Sequence, residues 1–492
     1  MLFNSVDFLI FFPIVTLIYF IVPKKLKTVW LLISSYYFYM CWNPKYAVLI
    51  AVSTIITYGS GLALSYVGAV KNISPDKQVF YKKCIVAASV ISNLGILAVF
   101  KYADFFLTNL YTLFSAMGFT VTERTLDLLL PVGISFYTFQ ALSYTIDVYR
   151  GEVRAEKNLI RYALFVSFFP QLVAGPIERT PNLLTQIHEL EKKTLWNWDN
   201  ICGGLFLMVW GFFQKLVIAD RAAIVVNTVY NHYTEYGFVG IALATFFFAF
   251  QVYCDFDGYT NIARGAAQVL GIRLMKNFRQ PYFATDIRDF WRRWHISLTS
   301  WFTDYLYIPL GGSRKGMFRH LLNIVIVFAV SGLWHGASWN FVVWGLLHAA
   351  FQCIGILKQK LIGQKEQPLS GSARLRKAVT TFLLTDFAWL FFRADNLSHA
   401  FSLLRQMVSN IWLYTPGSFG LEPSGFTILT AALAVLFIVD WLHEKNIEIF
   451  SRLMKQELWF RYAVCLTLIW VVILLGVYGT SYTSSQFIYF QF

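Results

Sequence analysis

Two places in the chain put a histidine directly after a tryptophan, at Trp294–His295 and at Trp334–His335. Imidazole is the side chain best suited to taking up and releasing a proton near neutral pH. A histidine held away from water can therefore act as a general base on a hydroxyl group. The two pairs predict a buried site for acid–base chemistry, to which both histidines contribute.

The second pair lies in an apolar setting, between Leu321–Val330 and Phe341–Leu347. An ionisable residue in such surroundings costs free energy, which makes His335 a functional-site hypothesis. Small side chains surround it, and they would let another helix or a substrate come close: Gly332, Gly336, Ala337 and Ser338. The alternative is a buried histidine that only hydrogen-bonds a backbone carbonyl. The second tryptophan–histidine pair nearby favours the functional interpretation.

The first pair lies in a stretch with helical spacing, for which Asp286 predicts an N-terminal cap. At about 100° per residue, one face is aromatic and the opposite face is polar. The aromatic face carries Trp291, Trp294, Leu298, Trp301 and Tyr305, and the polar face carries Arg293, Ser300 and Asp304. His295 falls within the aromatic face. We therefore expect it to point into protein or membrane.

The composition is typical of a polytopic membrane protein, with 57% hydrophobic residues, 14% charged residues and a mean hydropathy of +0.54. Val6–Val22 has no basic segment before it and no small-residue cleavage site after it, so it predicts a retained span. Several of the apolar runs are shorter than the ~20 residues needed to cross a bilayer. The runs lie at 6–22, 29–42, 46–67, 84–100, 128–146, 159–174, 201–219, 237–254, 321–334, 339–357, 379–393, 426–441 and 461–478.

These runs predict an all-α membrane protein with about 11 transmembrane helices plus re-entrant and interfacial helices. No internal repeat or low-complexity linker divides the sequence, so we expect one domain over residues 1–492. The six cysteines contain no Cys-x-x-Cys pattern and predict neither a disulfide framework nor a thiolate metal site. No metal is expected.

The basic residues predict the topology. Lys24, Lys25 and Lys27 follow the first apolar run, which places the N-terminus outside by the positive-inside rule. Arg264–His320 holds ten Lys and Arg residues against three Asp. It predicts cytoplasmic interfacial helices whose aromatic sides reach the lipid headgroups; a charge cluster that only fixes topology is the alternative. Lys358–Lys377 predicts a plain cytoplasmic loop.

Motifs along nearly the whole chain resemble the membrane-bound O-acyltransferase superfamily, within it the bacterial branch typified by the membrane subunit of alginate O-acetylation. They are residues 1–9, 131–140 running on to 147–151, 168–178, 305–312 followed by Arg314 and Lys315, 391–395, and 487–492. The branch usually shows Asp-Phe-Ser-Gly-Tyr-Ser-Asp, whereas this chain has Asp-Phe-Asp-Gly-Tyr-Thr-Asn at 255–261. Asp257 and Asn261 therefore receive no role by analogy.

The resemblance implies that His335 is the near-invariant histidine of the superfamily and His295 its second signature residue. It also implies a ring of helices around a central tunnel, in a multi-pass protein of the bacterial plasma membrane. The acyl donor would be a cytoplasmic thioester and the acceptor an extracytoplasmic polymer. A separate esterase-like partner protein would complete the transfer.

Acyl transfer from a thioester to a hydroxyl fits the residues. His335 is expected to be the base, because burial disfavours the imidazolium form. The tetrahedral oxyanion needs a donor, for which an indole N–H of Trp294 or Trp334, the amide of Asn340, and His295 all stay open. Arg292 and Arg314 offer cations to the phosphates of coenzyme A or to an acidic acyl-carrier protein. The thioester is a substrate, and no bound cofactor is expected.

Other functions remain as alternatives. D-alanyl transfer to teichoic acid is the closest one in chemistry. A transporter would show repeat symmetry and broken helices in corresponding halves, and neither is visible in this sequence. A non-catalytic component of a polymer-export complex is the third alternative. No Gly-x-Ser-x-Gly or phosphate-loop lysine pattern is present, which disfavours serine hydrolases and nucleotide hydrolases.

Overall fold

The computed structural model describes residues 1–192, 196–363, 370–413, 419–478 and 487–488, and every regular element within these ranges is a helix. The predicted all-α class is confirmed. Residues 489–492 of the closing motif and residues 364–369 of the predicted cytoplasmic loop lie outside the described ranges. The chain forms two compact units: Met1–Leu205 with Ala263–Met275, and Phe206–Ile262 with Lys276–Phe492.

The first unit is built from short and long helices. They are α1 (Val6–Ile21), α2 (Lys27–Met40), α3 (Pro44–Ala69), α4 (Pro75–Leu97), α5 (Ala103–Ala116), α6 (Ile134–Arg150), α7 (Leu159–Ser167), α8 (Phe169–Leu172) and α9 (Thr180–Glu189). Helix starts follow from local sequence, since the Ser5 side chain accepts from the Phe8 amide and Pro44 and Pro75 occupy first-turn positions. The next helix, α10 (Trp198–Phe212), carries the chain into the second unit.

Two of the predicted apolar runs form buried helices in the first unit. Residues 134–145, the first twelve of α6, are all buried. The run at 159–174 is broken into α7 and α8, where Phe168 leaves the helical region ahead of Pro170. These runs are too short for a full span and lie among neighbouring helices, as predicted.

The second unit contains the remaining helices. They are α11 (Asp220–Asn231), α12 (Phe238–Val269, which leads back into the first unit), α13 (Ile287–Arg293), α14 (Ile296–Phe302), α15 (Met317–His335), α16 (Trp339–Ile362), α17 (Gly371–Arg393), α18 (Leu397–Ser409), α19 (Pro423–Glu444), α20 (Ile449–Leu453) and α21 (Leu458–Leu475).

Eight helices among the described residues are long and apolar enough to cross a membrane. They are Pro44–Ala69, Pro75–Ala116, Trp198–Asn231, Phe238–Val269, Met317–His335, Trp339–Leu361, Pro423–Glu444 and Leu458–Leu475. Val6–Ile21 is a shorter apolar helix. The protein is therefore a multi-pass membrane protein, while the number of about 11 spans stays a prediction.

The single amphipathic helix predicted around His295 is wrong. Its start is confirmed, because the Asp286 side chain accepts from the Asp289 amide at 2.8 Å. Helix α13 then ends at Arg293, Trp294 is extended, and His295 adopts a left-handed conformation (φ 42°, ψ 54°) before α14 begins. The physical reason is tertiary. A neighbouring segment supplies backbone bonds that replace the helical ones, Arg279 N–H to Arg293 C=O (3.0 Å) and Ile296 N–H to Asn277 C=O (2.9 Å).

The prediction that the aromatic sides of this segment reach the lipid headgroups is wrong as well. Trp291, Trp294, Leu298 and Trp301 are all buried in protein, so they do not reach lipid headgroups. Arg293, which the helical spacing placed on the polar face, is only 8% exposed. Its guanidinium pairs with Asp289 at 2.9 Å and with Glu444 at 2.7 Å. The charge of Arg293 thus holds α13 in the unit, because a buried cation needs carboxylate partners.

Candidate active site

His335 is the last residue of α15, at the turn of a tight helical hairpin with α16. Gly336 is extended and the connection spans only residues 336–338. A Cβ at Gly332 would collide with the Phe341 carbonyl, and one at Gly345 would collide with the Phe328 carbonyl. The predicted close helix approach at Gly332 is confirmed. The glycines let the two backbones touch, and that contact fixes the position of the histidine.

Aromatic rings enclose the His335 side chain, which is 3% exposed. Its ring centroid lies 5.0 Å from Trp334, 4.9 Å from Trp344 and 5.4 Å from Phe392. On the other side of the turn, a Cβ at Gly336 would collide with the Phe341 ring. The small residues around His335 are thus packed mainly against protein, and the imidazole lies in an apolar environment shielded from bulk water.

His295 lies beside His335, as the two tryptophan–histidine pairs predicted. The two ring centroids are 6.5 Å apart with the planes at 64°. His295 is fully buried against Phe256 at 4.6 Å and Trp334 at 5.9 Å. Burial lowers the pKa of His295 to about 3, so its imidazole is neutral at pH 7. A neutral ring can donate one hydrogen bond and accept another.

The strained backbone of His295 is held by one side chain, Asn277. Its Oδ1 accepts from the Ser297 hydroxyl at 2.6 Å, and its Nδ2 donates to the Thr260 hydroxyl at 3.3 Å. The Asn277 carbonyl also accepts from the Ile296 amide at 2.9 Å. A left-handed conformation at a non-glycine residue persists only where its surroundings enforce it. These bonds enforce it.

The two predicted tryptophans have different positions. Trp334 contacts both histidine rings, at 5.9 Å and 5.0 Å. Trp294 is fully buried one layer away, against Phe278 and Trp389, each at 4.9 Å between centroids. Trp334 is therefore the one of the two that packs directly on both histidines.

The predicted polar residues do not join the histidines in the aromatic cluster. The Asn340 amide donates to the backbone carbonyls of Ala394 (2.7 Å) and Phe391 (3.3 Å), so its N–H groups are occupied in holding the end of α17. Arg292 and Arg314 are exposed, whereas both histidines are buried. Neither arginine therefore belongs to the buried aromatic cluster that holds the histidines.

Two members of the cluster, Trp344 and His348, were not predicted from the sequence. The Trp344 ring lies 4.9 Å from His335 on one side and 5.1 Å from His348 on the other. The Trp291 indole donates to His348 Nδ1 at 3.3 Å. In the described part of the chain, the buried Trp344 indole N–H has no hydrogen-bond acceptor. The signal for His348 was available, since it is an ionisable residue inside the apolar run 339–357.

The two residues at which 255–261 departs from the branch motif, Asp257 and Asn261, are hydrogen-bonded to each other. Asp257 Oδ2 accepts from Asn261 Nδ2 at 3.0 Å, one helical turn away, and from Gln214 Nε2 at 2.8 Å. Asn261 Nδ2 also donates to Gln214 Oε1 at 2.8 Å. Asp257, Asn261 and Gln214 thus form one hydrogen-bonded group of side chains. On the same helix, Phe256 contacts His295.

The site as a whole is suited to proton transfer shielded from water. Two imidazoles lie within one aromatic shell, one of them neutral at pH 7, next to an indole N–H that is available to a substrate oxygen. Among the residues that the structure describes, no group of three or more His, Cys, Asp or Glu could hold a metal ion. The protein's own side chains supply acid–base groups and hydrogen-bond donors.

Comparison with known proteins identifies the family. Residues 152–362 match the model of MBOAT, the membrane-bound O-acyltransferase family. The peptidoglycan O-acetyltransferase of Helicobacter pylori is 35% identical over 439 residues, covering 83% of this chain and 80% of that protein. A probable alginate O-acetylase of Azotobacter vinelandii is 36% identical over 417 residues (83% and 78%), and the teichoic acid D-alanyltransferase of Bacillus subtilis is 26% identical over 280 residues (54% and 70%). The chain belongs to the membrane-bound O-acyltransferase family and is an acyltransferase.

Proposed function

We propose that this protein transfers an acetyl group from a cytoplasmic thioester to hydroxyls of an extracytoplasmic polysaccharide or cell-wall polymer, in the plasma membrane of a bacterium. The observation that carries the proposal is the pair of buried imidazoles, His295 and His335, 6.5 Å apart within one aromatic shell. Acyl transfer to a hydroxyl needs a base that works near neutral pH in a site that excludes water as a competing nucleophile.

The relatives favour acetyl over D-alanyl transfer. The peptidoglycan and alginate O-acetylating relatives are at least 35% identical and match 83% of this chain. The D-alanyltransferase relative is 26% identical and matches 54%. Two different acceptor polymers occur among the acetylating relatives, so the acceptor class proposed here is a hydroxyl-bearing envelope polymer and not one particular glycan.

In the proposed reaction, His335 removes the proton from the acceptor hydroxyl as its oxygen attacks the thioester carbonyl carbon. The tetrahedral intermediate then collapses. Its C–S bond breaks, the new C–O bond remains, and the leaving thiolate takes the proton back from the His335 imidazolium. The products are an O-acyl ester and a free thiol, so atoms and charge balance.

Hydrogen-bond donors beside His335 would stabilise the oxyanion of this intermediate. The Trp344 indole N–H lies in the ring that packs on His335 and has no acceptor in the described ranges. An unmade buried hydrogen bond costs about 1–3 kcal/mol, which an oxyanion would recover. His295, whose ring is neutral and lies 6.5 Å from that of His335, is a second candidate donor.

In this proposal, the thioester donor binds from the cytoplasmic side of the membrane and the partner protein acts on the outer side. Arg292 and Arg314 are exposed cations for the phosphates of coenzyme A or for an acidic acyl-carrier protein. On the outer side, an esterase-like protein would receive the acetyl group or place it on the polymer. A central tunnel between the two sides is part of the proposal.

The test is polymer acetylation with His335→Gln, and with His348→Gln as the matched control. Both substitutions remove an imidazole from the same aromatic cluster, but only His335 is assigned the proton. Each variant is expressed in a strain that lacks the chromosomal gene, and its amount in the membrane is compared with that of wild type. Acetate released by base from the envelope polymer is then measured. We expect His335→Gln to lose about 10²–10⁴ in rate and His348→Gln to lose far less. Near-wild-type acetylation by His335→Gln would refute the base assignment and favour a non-catalytic role in polymer export.

A further inference from the structure

A polar cavity of about 420 Å³ lies in the first unit, at the end of α1 and the start of α2. Its polar lining consists of Lys27, Gln186, Glu189, Asn197, Asn200 and Arg273. Two cations thus stand against one carboxylate among the described lining residues. The cavity is large enough for a phosphate ester, and the balance of charge favours an anion.

Lys27 is the unusual member of this lining, because it is only 1% exposed. Its Nζ lies 4.1 Å from the centroid of the Tyr19 ring, whose hydroxyl donates to the Leu270 carbonyl at 2.9 Å. No carboxylate within the described ranges forms an ion pair with Lys27. Burial, together with the charge of Lys24, lowers the pKa of Lys27 to about 8, so the ammonium is still mostly protonated at pH 7. A buried cation held over a tyrosine and facing a cavity is expected to have an anionic partner.

Arg273 is the second cation of the lining, and two hydrogen bonds from a neighbouring side chain hold its backbone. The Gln186 side chain donates to the Arg273 carbonyl at 2.8 Å and accepts from the Arg273 amide at 2.8 Å. The Arg273 side chain itself is exposed and remains available to a ligand. Helix α10 begins next to the cavity, where the Asn197 side chain accepts from the Asn200 amide at 3.1 Å. The N-terminus of this 15-residue helix adds partial positive charge to the same space.

The surroundings of the cavity are those of a membrane interface. Four apolar residues on one face of α1, spaced to form a ridge along the helix, are more than half exposed: Ile10, Ile14, Leu17 and Ile21. The ridge ends at the level of the cavity. There, Phe20 contacts the exposed Trp196 at 5.2 Å between ring centroids. Interfacial tryptophans next to an apolar ridge are typical of the headgroup boundary.

We propose that this cavity binds the phosphate group of an anionic phospholipid, with Lys27 and Arg273 as the two cations and the acyl chains lying along the ridge of α1. The positive charges that follow α1 place the site in the cytoplasmic leaflet. A phosphate ester of the soluble acyl donor carries the same chemistry and is the alternative source. The proposal does not depend on the acyl transfer mechanism.

The test is native mass spectrometry of the full chain released from nanodiscs of phosphatidylglycerol and phosphatidylcholine in equal amounts. We expect wild type to retain phosphatidylglycerol. Lys27→Met, which keeps an apolar chain of similar length, and Arg273→Gln should each weaken that retention about tenfold, since each removes a charge-assisted contact. The matched control is Lys24→Gln, which removes an equal but exposed charge and should have a much smaller effect. Arg273→Gln keeps the test valid if Lys27→Met fails to fold.

A parallel arm measures coenzyme A and inorganic phosphate binding to the same proteins in phosphatidylcholine nanodiscs. Weaker binding of these soluble phosphates by Lys27→Met and Arg273→Gln, with phosphatidylglycerol retention unchanged, would support the phosphate site and assign it to a soluble ligand. Unchanged binding of every phosphate by both variants would overturn the proposal. It would equally be overturned if Lys24→Gln lost as much phosphatidylglycerol as Lys27→Met, because the lysines would then act only as a general positive charge.

Discussion

The two histidines of the candidate site reach the same aromatic shell by different physical means. His335 ends an ordinary helix, and its position is set by backbone contact across the α15–α16 hairpin at Gly332 and Gly345. His295 sits in a left-handed break between two short helices, which Asn277 holds through hydrogen bonds. The first position thus depends on the absence of side-chain volume, and the second depends on a small polar network. Mutations of the glycines that position His335 and mutations of the hydrogen bonds that hold His295 should therefore have different effects on stability and activity.

The largest difference concerns the chemistry of the two rings. His295→Gln keeps hydrogen-bonding capacity but changes its geometry, so we expect a loss of about 10²–10³ in transfer, mainly through use of the thioester donor. His335→Gln should instead fail at any donor concentration. Initial rates measured against donor concentration separate the two. If both variants showed the same change in kcat with an unchanged donor KM, the two histidines would not have different roles.

The packing of the hairpin gives the second prediction. Gly332→Ala puts a methyl group against the Phe341 carbonyl, so we expect a destabilisation of up to about 3 kcal/mol and a displaced His335. Gly355→Ala is the control, because a Cβ there meets nothing within 4 Å and only improves helix propensity on α16. Thermal unfolding in detergent measures both. An equal Tm for Gly332→Ala and wild type would show that the backbones can separate without cost.

The pH dependence of stability tests the burial of His295. The pKa of His295 falls from an ordinary 6.5 to about 3 on folding, so the unfolded chain binds more protons between these values. Stability should therefore decrease as the pH falls below 6.5. The share due to His295 is about 2 kcal/mol between pH 7 and pH 5. His295→Gln should remove that share, and the exposed His232→Gln should not. If Tm fell by the same amount between pH 7 and pH 5 in wild type and in His295→Gln, a buried, neutral His295 would be contradicted.

The smallest expected effect is that of the network behind His295. Asn277→Ala removes the acceptor of the Ser297 hydroxyl, and we expect transfer to fall about tenfold while the protein still inserts and folds. Asn277→Asp keeps the acceptor and should recover part of the loss. A merely structural role would show instead as a lower Tm with unchanged rate per folded molecule. That result would place the restraint on His295 in the aromatic packing alone.

Local sequence was enough for the His335 half of the site. The apolar runs on both sides predicted a buried helix, and the small residues predicted a close approach of another helix. Both features depend on residues within one turn or one hairpin of the histidine, so periodicity and side-chain size report them directly. His348 meets the same criterion, because it is an ionisable residue inside the apolar run 339–357.

Tertiary structure alone decided the break at Trp294–His295, the burial of Arg293 and the position of Lys27. Helical spacing continues through residues 286–305, and the bonds that interrupt it come from Asn277 and Arg279, which local periodicity does not connect to them. Arg293 became a core residue because Glu444, distant in sequence, supplies a carboxylate. Lys27 looked like one of three equivalent topology signals, yet packing buries it and leaves Lys24 and Lys25 exposed. Sequence therefore determined which segments are apolar and where histidines lie in them, while long-range hydrogen bonds and ion pairs decided which polar groups face the interior.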